Sequence, residues 1–300
     1  MVDWRGRKRS DNVVDMRGRG AGAGMGGRGV RLGGGLGTVG IVIVVIMFFM
    51  GADPTQLLGV LLGGDPTAQT ADYDPAPAGP RAPRADDEDA EFMSVVLADT
   101  EETWSRLFQQ ANSRYPAPQL VLYEGSYPTA CGMGSAAAGP FYCPGDQKLY
   151  LDLSFFRELN NLGAPGDFAQ AYVIGHEVGH HVQNVIGILN ASQQAKGRRG
   201  ADGNAIQVLV ELQADCYAGV WAHHAESQRD LLESGDIEEG LRAAAAIGDD
   251  TLQRRSGRAV HPESFTHGSS AQRVAWFRRG FEHGDVEQCD TFREAGVSLR

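Results

Sequence analysis

The chain has 300 residues, 42% of them hydrophobic and 22% charged, and a formal net charge of −11, which allows one large domain or two ordinary ones. The charge is uneven: residues 1–34 carry eight Lys/Arg against three Asp, a net of +5, which leaves −16 for the rest of a chain whose total is −11. No internal repeat is visible, and no cysteine pair stands at C-x-x-C spacing, so a cysteine zinc site is unsupported.

Residues 1–34, Gly/Arg-rich and poor in large apolar side chains, read as a disordered basic tail. The following run, Leu32 to Ala52, holds 21 residues without a charge, about the number a helix needs to cross a hydrocarbon core. A transmembrane helix with its juxtamembrane segment is expected over 35–64, and a Pro/Ala/acidic linker over 65–90. By the positive-inside rule the basic tail stays cytoplasmic and the acidic bulk is exported. The expectation is a single-pass protein of the cell (inner) membrane, its main domain periplasmic or extracellular. Beside such a span, topology explains the basic tail more simply than a nucleic-acid partner, so none is expected.

The folded domain is expected over 91–297. DAEFMSVVLADTEETWSRLFQQA repeats apolar residues at helical spacing, whereas QLVLYEG (119–125) and KLYLDLS (148–154) have the β-branched, aromatic and alternating character of strands. A second helix is indicated between Gly166 and Gly187. After it NASQQAKGRRGADGN reads as an exposed loop, and residues 205–226 as a central helix, apolar over most of its surface. More helix is expected over 228–256 and after a capping Ser269. The fold class is therefore α+β, mostly helical with a small sheet.

Four cysteines, Cys131, Cys143, Cys216 and Cys289, all follow the apolar run. In an oxidising compartment an even number suggests two disulfides. Cys131 with Cys143 would close a Gly-rich loop, leaving Cys216 with Cys289; four buried thiols are the alternative.

Within AYVIGHEVGHHVQNV, His176-Glu177-Val178-Gly179-His180 has the form H-E-x-x-H. Residues i and i+4 share one face of a helix, so two imidazoles can converge on one ion with the glutamate beside it as a proton acceptor. A catalytic zinc takes a third protein ligand and keeps one position open. Glu211 and Asp215, at i and i+4 in an otherwise buried helix, meet that need: an unpartnered buried carboxylate is costly, and a metal removes the cost. Glu211 is the candidate third ligand, and Asp215 the acceptor for the distal nitrogen of His176. The small residues Gly175, Gly179, Ala214 and Ala218 would let the two helices approach.

His181, about 100° around the helix from His180, reads as a neighbour or surface group. His223-His224 reads as a pair favoured by its helix dipole. His267 precedes a helix start in a loop, from which it could donate to an oxyanion; a loop histidine without a role is the alternative.

The blocks HEVGHHVQ, ELQADCYAGVW, GPFYCPGDQKLYLDLSFF and FTHGSSAQRVAWF, with DWRGRKRSDNV ahead of the apolar run, resemble a bacterial family of neutral zinc metallopeptidases over nearly the whole chain. The resemblance implies a membrane anchor and a zincin-type, gluzincin-like domain. In it one catalytic Zn2+ is held by His176, His180 and Glu211, with Glu177 as the general base. The expected activity is hydrolysis of a peptide or protein substrate, with the strand KLYLDLS pairing with it. Two alternatives stay open: a catalytically weak zinc-binding envelope scaffold, closed by His181 or His267 as a fourth ligand, and a zinc hydrolase of a non-peptide amide.

Overall fold

A computed structural model describes residues 1–18, 87–135, 139–198, 200 and 202–299. In chain order the elements are β1 (Val13–Asp15), α1 (Glu88–Gln110), β2 (Gln119–Tyr123), β3 (Ser126–Thr129), β4 (Gly132–Ser135), β5 (Phe141–Cys143), β6 (Lys148–Asp152), α2 (Phe155–Asn161), α3 (Asp167–Val185), α4 (Ile188–Lys196), α5 (Gly203–Arg229), α6 (Asp236–Ala246), α7 (Asp249–Arg255), α8 (Ser270–His283) and α9 (Thr291–Glu294). The arrangement is α+β, mostly helical with small sheets.

Three helices begin where the sequence supplies an acceptor for their unpaired N–H groups. Asp87 accepts from Ala90 at α1, Asp202 accepts from Ala205 at α5, and Ser269 with Gln272 forms a capping box at α8. Each such cap contributes about 1 kcal/mol. Every residue from Val210 to Ala222 of α5 is buried, so this helix needs neighbours all round; α3 and α8 pack against it most extensively. A Cβ on Gly179 would lie 2.9 Å from the Ala214 carbonyl oxygen, and one on Gly175 would lie 2.7 Å from the Trp221 ring. Larger residues at either position would force α3 and α5 apart.

The main sheet has the order β1-β2-β6-β5, with β1, β2 and β6 parallel and β5 antiparallel to β6. β3 and β4 form a separate hairpin. Cys131 is bonded to Cys143 and Cys216 to Cys289, the pairing that loop closure suggested.

Several expectations need correction. The first 18 residues are no disordered tail. Val2, Trp4 and Val13 are buried in the core, the Trp4 ring lies 5.7 Å from that of Phe92, and β1 adds a parallel strand to β2. Composition averaged over 34 residues hid a short apolar segment beside a glycine-rich one.

The single-pass topology is overturned for the same reason. One membrane crossing between residues 18 and 87 would put β1 and β2 on opposite sides, whereas they are hydrogen-bonded neighbours. Among the described residues no helix is long and apolar enough to cross a membrane, and the apolar run at 32–52 lies outside them.

The expected loop after α3 holds α4, because Asn190 to Lys196 contains good helix formers and the glycines begin only at Gly197. The helix expected over 228–256 is two, α6 and α7: α5 runs on to Arg229 and stops at Asp230, whose φ of 47° is left-handed. KLYLDLS cannot pair with a substrate, since β6 is bonded to β2 on one side and β5 on the other. Among the described residues the edge strands of this sheet are β1 and β5, and of the two it is β5 whose Phe141 and Tyr142 border the cleft.

Candidate metal centre

α3 and α5 bring His176, His180 and Glu211 together, with one donor atom of each within 4.8 Å of the others. Glu211 Oε2 lies 3.2 Å from His176 Nε2 and 3.5 Å from His180 Nε2. Ligands at about 2.0–2.1 Å in a tetrahedral shell are about 3.3–3.4 Å apart, so the Glu211 oxygen already stands at that spacing from both imidazoles, whose own donor atoms lie within 4.8 Å of each other. Two imidazoles and a carboxylate also suit zinc chemically.

Each donor is oriented by a second contact. Asp215 Oδ1 lies 2.8 Å from His176 Nδ1 and Gln183 Oε1 lies 2.8 Å from His180 Nδ1, so both rings turn Nε2 toward Glu211. Gln183 is itself held, donating to the Val210 carbonyl at 2.8 Å and to Gln213 Oε1 at 3.0 Å. Gln207 donates to Glu211 Oε1 at 2.7 Å, leaving Oε2 to face the histidines. Behind them Arg273 and Tyr172 close on Asp215, Arg273 with both Nε and Nη2.

The electrostatics follow from burial and these pairs. Burial alone would push His176 down, but the Asp215 charge and its hydrogen bonds to Asp215 and Glu211 raise it to about 9. Burial pushes Glu211 up, yet His180 and His176 hold it well below the usual carboxylate range. Asp215 is likewise lowered against its burial, chiefly by Arg273 and His176. Glu177 is raised: burial outweighs the nearby histidines and a hydrogen bond from the Tyr142 backbone N–H.

A cleft of about 520 Å³ opens over these groups. Its walls are largely apolar, with Phe141, Phe155, Val173, Leu189, Ile247 and Leu252 among them. Glu177 and His267 both line it. His267 Nδ1 lies 3.2 Å from Asp249 Oδ1, while Asp249 Oδ2 accepts backbone N–H groups from Thr266, His267 and Gly268.

The remaining histidines lie apart from the donor triad. His181 is buried rather than at the surface, between the Pro116 carbonyl and the Tyr142 hydroxyl, and burial lowers its pKa. His223 and His224 contact the Phe281 and Gly284 carbonyls at the end of α8, so they cap a neighbouring helix. The other acidic cluster, Asp167, Asp236 and Glu239, faces the Met1 ammonium and the Val2 N–H.

Sequence reasoning missed Tyr172, Gln183, Gln207, Asp249 and Arg273. Arg273 did carry a signal: it shares the buried face of α8 with Phe277 and Gly280, at i, i+4 and i+7. A charge on an apolar face implies a buried partner. The glutamines offered none, since a neutral amide looks the same buried or exposed.

An α+β fold holding a His-His-Glu group that could bind a metal ion defines a candidate metalloprotein. The chain belongs to the family described as "putative neutral zinc metallopeptidase", which matches residues 2–292. It is 46% identical over 291 residues to uncharacterized protein YpfJ of Escherichia coli strain K12, covering 96% of this chain and 98% of that one. It is 44% identical over 194 residues to uncharacterized protein Rv2575 of Mycobacterium tuberculosis strain H37Rv, covering 61% and 65%. No solved structure matches.

Proposed function

We propose that this chain is a zinc-dependent endopeptidase in which His176, His180 and Glu211 bind the metal and Glu177 is the general base. One observation carries the reading: a carboxylate oxygen at tetrahedral spacing from two imidazole nitrogens lies in one apolar cleft with a second buried glutamate, Glu177. Zinc held there supplies Lewis-acid activation of water and of the scissile carbonyl.

Everything else is asked of the chain's own residues. Glu177 takes the proton of the attacking water and passes it to the leaving amine; its burial makes the carboxylate a stronger base than one in water. His267, whose Nδ1 lies 3.2 Å from Asp249 Oδ1, lines the cleft where it can stabilise the oxygen that gains charge. An extended peptide pairs with the free side of β5. The apolar walls favour bulky apolar side chains near the bond that is cut.

The scaffold alternative loses one of its two fourth ligands, because both ring nitrogens of His181 are engaged elsewhere.

The test is Glu177→Gln on a peptide library, with zinc measured alongside. We expect unchanged zinc content and cleavage reduced by about 10²–10⁴. A variant that cleaves like the parent would overturn Glu177 as base, and a zinc-loaded parent that cleaves no peptide would overturn the peptidase reading.

A further inference from the structure

His181 is 1% exposed and lies outside the donor triad, yet it touches the strand that borders the cleft. Its Nε2 is 2.6 Å from the Pro116 carbonyl oxygen and its Nδ1 is 3.1 Å from the Tyr142 hydroxyl. A carbonyl can only accept, so Nε2 carries the proton and Nδ1 of the neutral ring must accept. The Tyr142 hydroxyl therefore donates to His181, and it accepts in turn from Asn184 Nδ2 at 2.9 Å. The chain runs in one direction, from Asn184 through Tyr142 and His181 to Pro116. The Tyr115 and Tyr142 rings meet the imidazole edge-on, at 5.5 and 5.4 Å.

Tyr142 is the middle residue of β5, which is bonded to the sheet on one side only, through β6. The Tyr142 backbone N–H faces the Glu177 carboxyl and helps to lower its pKa, and thus points away from β6. In a strand the N–H and C=O of one residue face the same side, so the Tyr142 carbonyl lies on that outer edge too. Side-chain anchors must hold this short edge strand in place. They are the disulfide at Cys143, the Phe141 ring stacked on Tyr150, and Tyr142 itself, pinned by His181 and Asn184 near the end of α3.

We propose that His181 is a positioning residue: through the Tyr142 hydroxyl it sets where β5 stands beside Glu177 in the cleft, and so fixes the backbone edge that aligns an extended peptide. The proposal rests on the peptidase reading for its kinetic consequence, whereas the placement of β5 can be measured without turnover.

The two ring nitrogens can be tested separately, because an Asn amide oxygen reaches roughly the position of Nδ1 and a Gln amide nitrogen roughly that of Nε2. His181→Asn keeps an acceptor for Tyr142, whereas His181→Gln keeps the donor to Pro116 and loses that acceptor. Tyr142→Phe removes only the hydroxyl and is the variant least able to disturb folding. For each full-length, zinc-loaded protein we would measure zinc content, amide hydrogen exchange over residues 139–143, and kcat and KM on a cleaved peptide.

The expected pattern is zinc unchanged throughout. Exchange over 139–143 should be about tenfold faster, and kcat about tenfold lower, in Tyr142→Phe and His181→Gln, with His181→Asn close to the parent. Two exchange results overturn the proposal: damage in His181→Asn equal to or greater than in His181→Gln, which would make Pro116 the contact that matters, or parent-like exchange in Tyr142→Phe. Altered exchange with parent-like kcat overturns the catalytic consequence. If the parent cleaves no peptide, the exchange contrasts still decide the placement of β5, and the peptidase reading falls separately.

Discussion

Arg273 grips Asp215 with two hydrogen bonds, Nε to Oδ2 at 2.8 Å and Nη2 to Oδ1 at 2.9 Å, in a pair whose side chains are 2% and 0% exposed. This contact, between residues 58 positions apart, keeps Asp215 charged where it faces His176 Nδ1. Arg273→Met should therefore cost about 3–5 kcal/mol, because it strands a buried carboxylate beside the metal ligands. Denaturant unfolding measures that loss. Asp215→Asn should lower zinc affinity by about 10–100-fold, read by competition with a chelating dye, and should also destabilise the fold, because it leaves the buried Arg273 guanidinium without its anion.

The two disulfides should differ in what they stabilise. Cys216–Cys289 links α5 to the segment after α8 across 73 residues, whereas Cys131–Cys143 closes only 12. The entropy removed from the unfolded chain grows with loop length, giving about 4 kcal/mol for the longer loop and about 3 for the shorter. Paired Cys→Ala variants, unfolded in urea without reductant, should show the larger loss of midpoint for Cys216/Cys289.

The N-terminal segment should count as part of the core. Trp4 is 7% exposed and packs on Phe92, so Trp4→Ala should cost about 3 kcal/mol or more. Deleting residues 1–18 would also strip β1 from the sheet and expose Leu120 and Leu122. Loss of cooperative thermal unfolding in the deletion is the expected result; an unchanged melting temperature would mean that the segment adds nothing.

Asp249 supplies a pH dependence of known sign. Burial would raise its pKa, but His267 and the backbone N–H groups of Thr266 and His267 lower it below the ordinary carboxylate value. A depressed folded pKa means that its stabilisation is complete above the unfolded value, about pH 4, and disappears as pH falls through the folded one. Asp249→Asn should cost about 1–3 kcal/mol at pH 7. The gap from the parent should shrink as pH falls from 5 toward 3, in urea titrations at each pH; a gap independent of pH would remove the charge from the argument.

Much of the candidate centre was legible because it is local. His176 and His180 stand one helical turn apart in one segment, and so do Glu211 and Asp215, so helix geometry fixes each pair before any packing is known. Placing Glu211 took one more step, the cost of a bare carboxylate in an apolar helix. Gly175 and Gly179 were readable as points of close approach for the same kind of reason.

Other features depended on contacts far apart in the chain. Nothing around Val13 says that it joins a strand 107 positions on, at Leu120. Strand character in KLYLDLS was clear, but whether its sides were free depended on β2 and β5 arriving there. His181 illustrates the difference most directly: its angle on the helix set it apart from His180, but only the packing of Pro116 and Tyr142 around it decided what its two nitrogens hold. Periodicity and side-chain chemistry are properties of a segment and survive in the sequence. Partners across the fold exist only once loops have closed and the core has packed, and for that reason the partner of Arg273, the edge strand and the N-terminal strand came from the tertiary structure alone.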